Sequence, residues 1–231
     1  MSEKNQSNTN TGANSMKMLQ AMVGIGILCA LMIVLAFEGT MPRIEQNKAE
    51  ALEKAIFKVI PGMVAKKTFK LNADNTFVPV EGAEKDAQLV YAGYDEQGKL
   101  VGVAVEASGL GFADVLRVLY GYEPEKQQVV GFYVLESKET PGLGDKIEKD
   151  AAFLGNFSAL DVALDEGGDA LKNKPVTVKH GEKANPWEID GITGATISSR
   201  AIGNIMGAST EYWMPLIHKN KAVFVQEKSE Q

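Results

Sequence analysis

The stretch MLQAMVGIGILCALMIVLAF, Met18 to Phe37, contains no charged side chain. At about 1.5 Å rise per residue, its roughly 20 residues span a hydrocarbon layer of about 30 Å. No other part of the chain is so narrowly constrained. A cleaved signal peptide is the competing reading, because Lys17 precedes the run. The run is longer than a signal core, however, and no convincing A-x-A site follows it. Leu28 also stands where a lipoprotein signal wants a small residue ahead of Cys29. A retained single-pass anchor over residues 16–38 is therefore expected. Lys4 and Lys17 before it and Arg43, Lys48 and Lys54 after it leave the orientation open. Large trailing domains translocate largely regardless of such charges.

Residues 1–15 are rich in Asn, Ser and Thr and lack apolar periodicity, which predicts a disordered segment. After the anchor, RIEQNKAEALEKAIFKVIPG places Ile44, Leu52, Ile56 and Val59 or Ile60 at helical spacing, with Pro61 and Gly62 as a stop. This predicts an amphipathic connecting helix over 39–62 with a core-packing face. A domain then occupies 63–218. QLVYAGYD, the turn EQGK with Gly98, and LVGVAVEA predict a β-hairpin, and QQVVGFYVLES a further strand. Helical patterns return around Lys146 to Leu154 and from Ile197 to Tyr212. Strands in runs with helices placed separately indicate an α+β fold, an antiparallel sheet with flanking helices. Residues 219–231, ending QEKSEQ, are expected to form a solvated tail.

Several functions are excluded early. The formal net charge of −6, without clustered Lys or Arg, speaks against nucleic acid as a partner. One cysteine, Cys29, and two distant histidines, His180 and His218, offer neither a disulfide framework nor a metal site. No Walker, dinucleotide-binding or HExxH motif is present, and no GxSxG elbow. Two glycine-bearing stretches remain. ESKETPGLGDKI, Glu136 to Ile147, is either a plain strand-to-helix turn or a place where a ligand approaches the backbone. DGITGATISSRAIG, Asp190 to Gly203, sets Thr193, Thr196, Ser198 and Ser199 before the apolar helical face Ile197, Ala201, Ile202, Ile205 and Met206. Thr196, Ser198 or Ser199 would cap that helix. Its N-terminus would equally suit an anion, with Arg200 nearby. The residues alone leave both readings open.

DGITGATISS resembles the D-x-x-[ST]-G-A-[TS] flavinylation motif of an FMN-binding domain found in two respiratory proteins. These are the G subunit of the Rnf electron-transport complex and the C subunit of the sodium-translocating NADH:quinone oxidoreductase. KETPGLGDKI, GLGFADVLRVLYGY and KAIFKVIPG are similar to further stretches of the same family, in the same order along the chain. The resemblance implies an electron-transfer subunit of a membrane-bound, ion-translocating oxidoreductase, of Rnf type first, with no independent catalysis. It implies FMN joined by a phosphoester to Thr196, with Asp190, Thr193, Gly194, Ala195 and Ser198 around it. Glu139, Thr140, Gly142, Leu143 and Gly144 are implied as further cofactor-binding residues. Implied partners are the other subunits of the complex and a flavin transferase. The implied location is the inner (cytoplasmic) membrane, with the soluble domain on its extracytoplasmic side. Lys138 departs from the family's usual residue and is expected to favour a reduced, anionic flavin. Two other readings make different predictions: a membrane-anchored domain binding FMN non-covalently releases it on denaturation, and a scaffold with a vestigial motif never carries it.

Overall fold

The computed structural model describes residues 9–82 and 87–225, with side chains from residue 15 onward. The chain divides into two compact units, residues 1–50 and 51–231. Helix α1, Thr9–Val59, begins in the first and ends in the second. In the first unit its apolar side chains are exposed, Met22 at 72% and Ile33 at 69%, as a lipid-facing surface requires. Among the described residues this is the one helix long and apolar enough to cross a membrane. Helix α1 is continuous across the boundary expected between anchor and connecting helix, with Pro42 inside it. It also starts at Thr9, so residues 9–15, expected to be disordered, are helical; residues 1–8 lie outside the described residues.

The second unit is built on a seven-stranded sheet in the order β2-β1-β3-β4-β5-β6-β7. Its strands are β1 Ala65–Leu71, β2 Phe77–Val80, β3 Leu89–Tyr94, β4 Leu100–Leu110, β5 Val115–Glu123, β6 Gln128–Glu136 and β7 Leu160–Asp161. All neighbours pair antiparallel. The hairpin expected around Gly98 is β3–β4, and Gly98 takes φ 75°, a turn conformation that glycine adopts without Cβ strain. Strand β5 had no sequence expectation; it overlaps the glycine-aromatic stretch that begins at Gly109 and ends one residue beyond it.

Both faces of the sheet are covered, which explains why its central strands are almost uniformly apolar instead of alternating. On one face lies α3, Thr196–Lys219, which buries Ile202, Met206, Met214 and Ile217 against Val90, Val103, Val118 and Tyr120. On the other lies the end of α1, where Ala55, Ile56, Val59 and Ile60 meet Tyr91, Ala104 and Leu119. That second contact depends on a furrow. Gly93, Gly102, Gly121 and Gly131 come from four adjacent strands, and a Cβ on any of them would run into Val59, Ile60 or Met63. At Gly121 and Gly131 the obstacle is the Val59 backbone itself.

The stretch expected to be helical around 146–154 is a 3-10 turn, Gly144–Glu148, followed by a short α2, Ala151–Gly155. Asp150 caps α2 by accepting the Phe153 N–H at 2.9 Å. Strands β8, Val176–Val178, and β9, Glu188–Asp190, form a small parallel pair. The domain extends past the expected boundary at 218. Helix α4, Lys221–Phe224, folds Phe224 into the core between Phe69 and Phe77, at centroid distances of 5.0 and 4.9 Å. The Phe224 carbonyl accepts the Tyr94 hydroxyl at 2.9 Å. A large aromatic ring available for burial outweighs the charge around it. QEKSEQ lies outside the described residues.

Burial raises the pKa of Tyr94 to about 12, and desolvation likewise pushes up Tyr91, Tyr120 and Tyr122. A phenol that ionises later in the folded than in the unfolded state gives stability that is whole below the unfolded pKa, near 10, and is lost above it. Stability should therefore fall between about pH 10 and pH 12 by about 1.4 kcal/mol per pH unit per buried tyrosine. Urea unfolding followed by tyrosinate absorbance across that window checks this; a flat profile would contradict it.

Candidate functional site

Strand β9 ends at Asp190, and a five-residue loop leads to α3. Asp190 braces this loop. Its Oδ1 accepts the Gly181 N–H at 2.7 Å, and its Oδ2 lies 3.2 Å from His180 Nδ1. The same Nδ1 is 3.1 Å from the Gly191 carbonyl; both partners are acceptors, which assigns the proton to Nδ1. Asn156 grips the Asp190 backbone as a strand neighbour would: its Oδ1 accepts the Asp190 N–H at 3.0 Å, and its Nδ2 donates to the Asp190 carbonyl at 3.3 Å. Sequence reasoning missed Asn156, which is 34 residues away from Asp190 and belongs to no motif.

The start of α3 is seated directly on β8. Gly203 and Gly207 present no side chain there, and a Cβ would meet Thr177 and the Pro175 carbonyl respectively. Thr177 Oγ1 donates to the Ser199 carbonyl at 3.0 Å. Gly194 precedes the helix at φ 83°, in the left-handed region that favours glycine. None of the three expected hydroxyls caps α3. The N-cap position is Ala195, without a side-chain bond. Ser199 lies inside the helix, and its Oγ donates back to the Ala195 carbonyl at 2.9 Å, the usual choice for a serine within a turn. Ser198 turns inward and donates to Glu139 Oε2 at 2.5 Å. Thr196 is exposed, with no hydrogen bond to its hydroxyl among the described residues. The first N–H groups of α3 thus have no intrahelical partner and no side-chain cap.

Thr196 stands on the ridge between two clefts. One, of about 340 Å³, has Phe112, Leu143 and Ile197 as exposed apolar walls, with Thr140, Gly144, Gly194 and Ala195 between them and Glu139 and Ser198 at its floor. Gly142 lets the Thr140–Gly144 loop turn back at φ 78°. The other cleft, of about 280 Å³, is lined by Lys179, His180 and Arg200, by Glu182, which lies 3.9 Å from the Lys179 ammonium, and by Thr193 and Thr196. The structure therefore gathers both glycine-bearing stretches around one hydroxyl and adds Phe112, Ile197, Lys179 and His180, which sequence reasoning had not assigned to the site. A phenylalanine directly after the glycines of GLGF, in a stretch already seen to resemble the family, was the available signal for Phe112. Lys138 is ion-paired to Asp114 at 2.5 Å, which offsets its charge and holds the Asp114 carboxyl below its ordinary range. A larger cleft, about 790 Å³, lies elsewhere, between Pro61, Leu100, Glu123 and Val225, and contains no residue of either stretch.

An open helix N-terminus, an exposed hydroxyl and cationic side chains on one flank suit a phosphate. Flat apolar walls on the other flank suit a ring system. The chain carries a flavin-nucleotide-binding domain: residues 111–210, which include the lining of both clefts, match the model of the FMN-binding domain. The chain is 30% identical over 201 residues to the G subunit of the ion-translocating oxidoreductase complex of Methanosarcina acetivorans, covering 85% of this chain and 93% of that one. It is 32% identical to the protein of the same name from Cereibacter sphaeroides, covering 76% and 74%. The chain belongs to the G-subunit family of ion-translocating oxidoreductase complexes. Its fold is that of Shewanella oneidensis NqrC, with a TM-score of 0.60 at 18% identity over 77% of this chain and 99% of that one. The C subunit of the Na(+)-translocating NADH-quinone reductase from Parabacteroides distasonis gives 0.57 at 20% identity, over 75% and 96%.

Proposed function

We propose that this chain is the electron-carrying subunit of a membrane-bound, ion-translocating oxidoreductase complex of the Rnf type, and that its FMN is joined to Thr196 by a phosphoester. The single observation that carries this reading is the exposed Thr196 hydroxyl, set on an uncapped helix start between an apolar cleft and a polar one that holds Arg200. When bound, FMN accepts and passes on electrons; the protein contributes position and electrostatics. Phe112, Leu143 and Ile197 would shield the ring system from water on the apolar side. The open N–H groups of α3, with Arg200, would hold the phosphate. Asp190 and Asn156 hold the loop that delivers Thr193, Gly194 and Ala195 to the helix start. Thr140, Gly142 and Gly144 shape the opposite wall.

A covalent tether keeps the cofactor at high effective concentration where a dissociated one would be diluted away. That advantage is greatest on an extracytoplasmic face, where we place the domain, with α1 as its anchor in the cytoplasmic membrane. Attachment is assigned to a flavin transferase, and electron exchange to neighbouring subunits of the complex. The test is the intact mass of the full chain after production with its transferase. The expected mass is that of the polypeptide plus one FMN less water, with flavin fluorescence retained after denaturation. Flavin released by denaturation would replace the tethered carrier with a non-covalent binding domain.

A further inference from the structure

Glu139 is the one buried charged side chain among the described residues, 5% exposed, and it has no ion pair among them. Its carboxylate divides its bonds between two segments. Oε1 accepts the Phe112 N–H at 2.7 Å and the Ala113 N–H at 3.0 Å, while Oε2 accepts the Ser198 hydroxyl at 2.5 Å. The backbone crowds in around it so closely that a Cβ on Gly111 would collide with Oε1 and one on Gly144 with Oε2. The β4–β5 hairpin tip, the Glu139–Gly144 loop and the first turn of α3 therefore meet at one carboxylate. Three donors, two backbone N–H groups and one hydroxyl, are thus aimed at a single buried carboxylate. The neighbouring ammonium, Lys138, is directed to Asp114 instead. A negative charge without a cation thus lies at the floor of the apolar cleft.

We propose that Glu139 is the positioning residue of the flavin site: it fixes the separation of Phe112 and Ile197 beside Thr196, and its buried charge disfavours electron entry into the bound flavin. The proposal rests on the FMN reading above. Geometry and charge can be separated by substitution. In Glu139→Gln, Oε1 still accepts both backbone N–H groups, and the new amide can donate to the Ser198 oxygen, so the clamp survives without its charge. In Glu139→Ala the clamp is lost and two backbone N–H groups lose their partner. Ser198→Ala removes only the link to α3.

The experiment uses the full chain in detergent, produced with its flavin transferase, together with a flavin-free Thr196→Ala background. Glu139→Gln should retain flavin attachment close to wild type and show a raised flavin midpoint potential. Glu139→Ala should lose at least tenfold in attachment. In the flavin-free background, its Phe112 and Ala113 amides should exchange with solvent at least tenfold faster than those of the parent, whereas with Gln they stay protected. An unchanged midpoint potential in Glu139→Gln overturns the role of the charge. Unchanged amide exchange in Glu139→Ala overturns the clamp; if that variant does not fold, wild-type attachment in Ser198→Ala overturns it instead. A wild-type chain without flavin sinks the FMN reading, while amide exchange still decides on the clamp.

Discussion

Replacing Thr196 with alanine is expected to abolish all flavin that survives denaturation and to return the intact mass to that of the polypeptide. Thr196→Ser should restore both, because the reacting atom is the hydroxyl and not the methyl group. Neighbouring hydroxyls cannot substitute. Ser198 is buried and bonded to Glu139, and Ser199 is buried and bonded to the Ala195 carbonyl. Thr193 is exposed but precedes the Gly194 turn, away from the helix start. Loss of the flavin should not accompany loss of the fold. The Thr196 side chain makes no hydrogen bond among the described residues, and alanine favours a helix over threonine by up to about 0.7 kcal/mol. Covalent flavin persisting in Thr196→Ala would move the attachment to Thr193 and overturn the assignment.

The second large effect is expected far from the flavin, in the furrow beneath the end of α1. Gly121→Val and Gly131→Val should each destabilise the domain by about 3 kcal/mol, the scale of overpacking against atoms that cannot move aside. At both positions the first atoms met belong to the Val59 backbone, which a rotamer change cannot clear. The α1 end would have to lift, exposing Ala55, Ile56, Val59 and Ile60, whose burial contributes about 1.5–3 kcal/mol for each large side chain. Gly155→Ala is the control. Its φ of −60° is helical and nothing lies within 4 Å of an added Cβ, so it should be neutral or stabilise by up to about 1 kcal/mol. Urea midpoints of the four proteins in detergent decide the matter. Equal midpoints would show that the furrow does not hold the helix.

Much of this was legible in the sequence because it depends on local rules. The charge-free run specified a membrane-competent helix, Gly98 a hairpin and Pro61–Gly62 a helix stop, each a property of a few neighbouring residues. The stretch around Thr196 was legible through its resemblance to a flavinylation motif, while its residues taken alone left a helix cap and an anion site equally open. The furrow was not, since a glycine within a strand pattern signals weakness or a bulge until its neighbours across the sheet are known. Phe224 misled in the same way, as a single aromatic ring among lysines and glutamates has no periodicity to reveal a buried position.

The sequence by itself determined the membrane-competent helix and the α+β class, and its motif set four candidate hydroxyls near one helix start. These follow from hydrophobic length, period and motif, which are contiguous in the chain. Only the tertiary structure decided which of the four hydroxyls is free. Glu139, 59 residues from Ser198, captures that side chain, and the Ala195 carbonyl captures Ser199. Thr196 remains exposed because hydrogen bonding of buried polar groups is settled by what packs against them, not by their order along the chain.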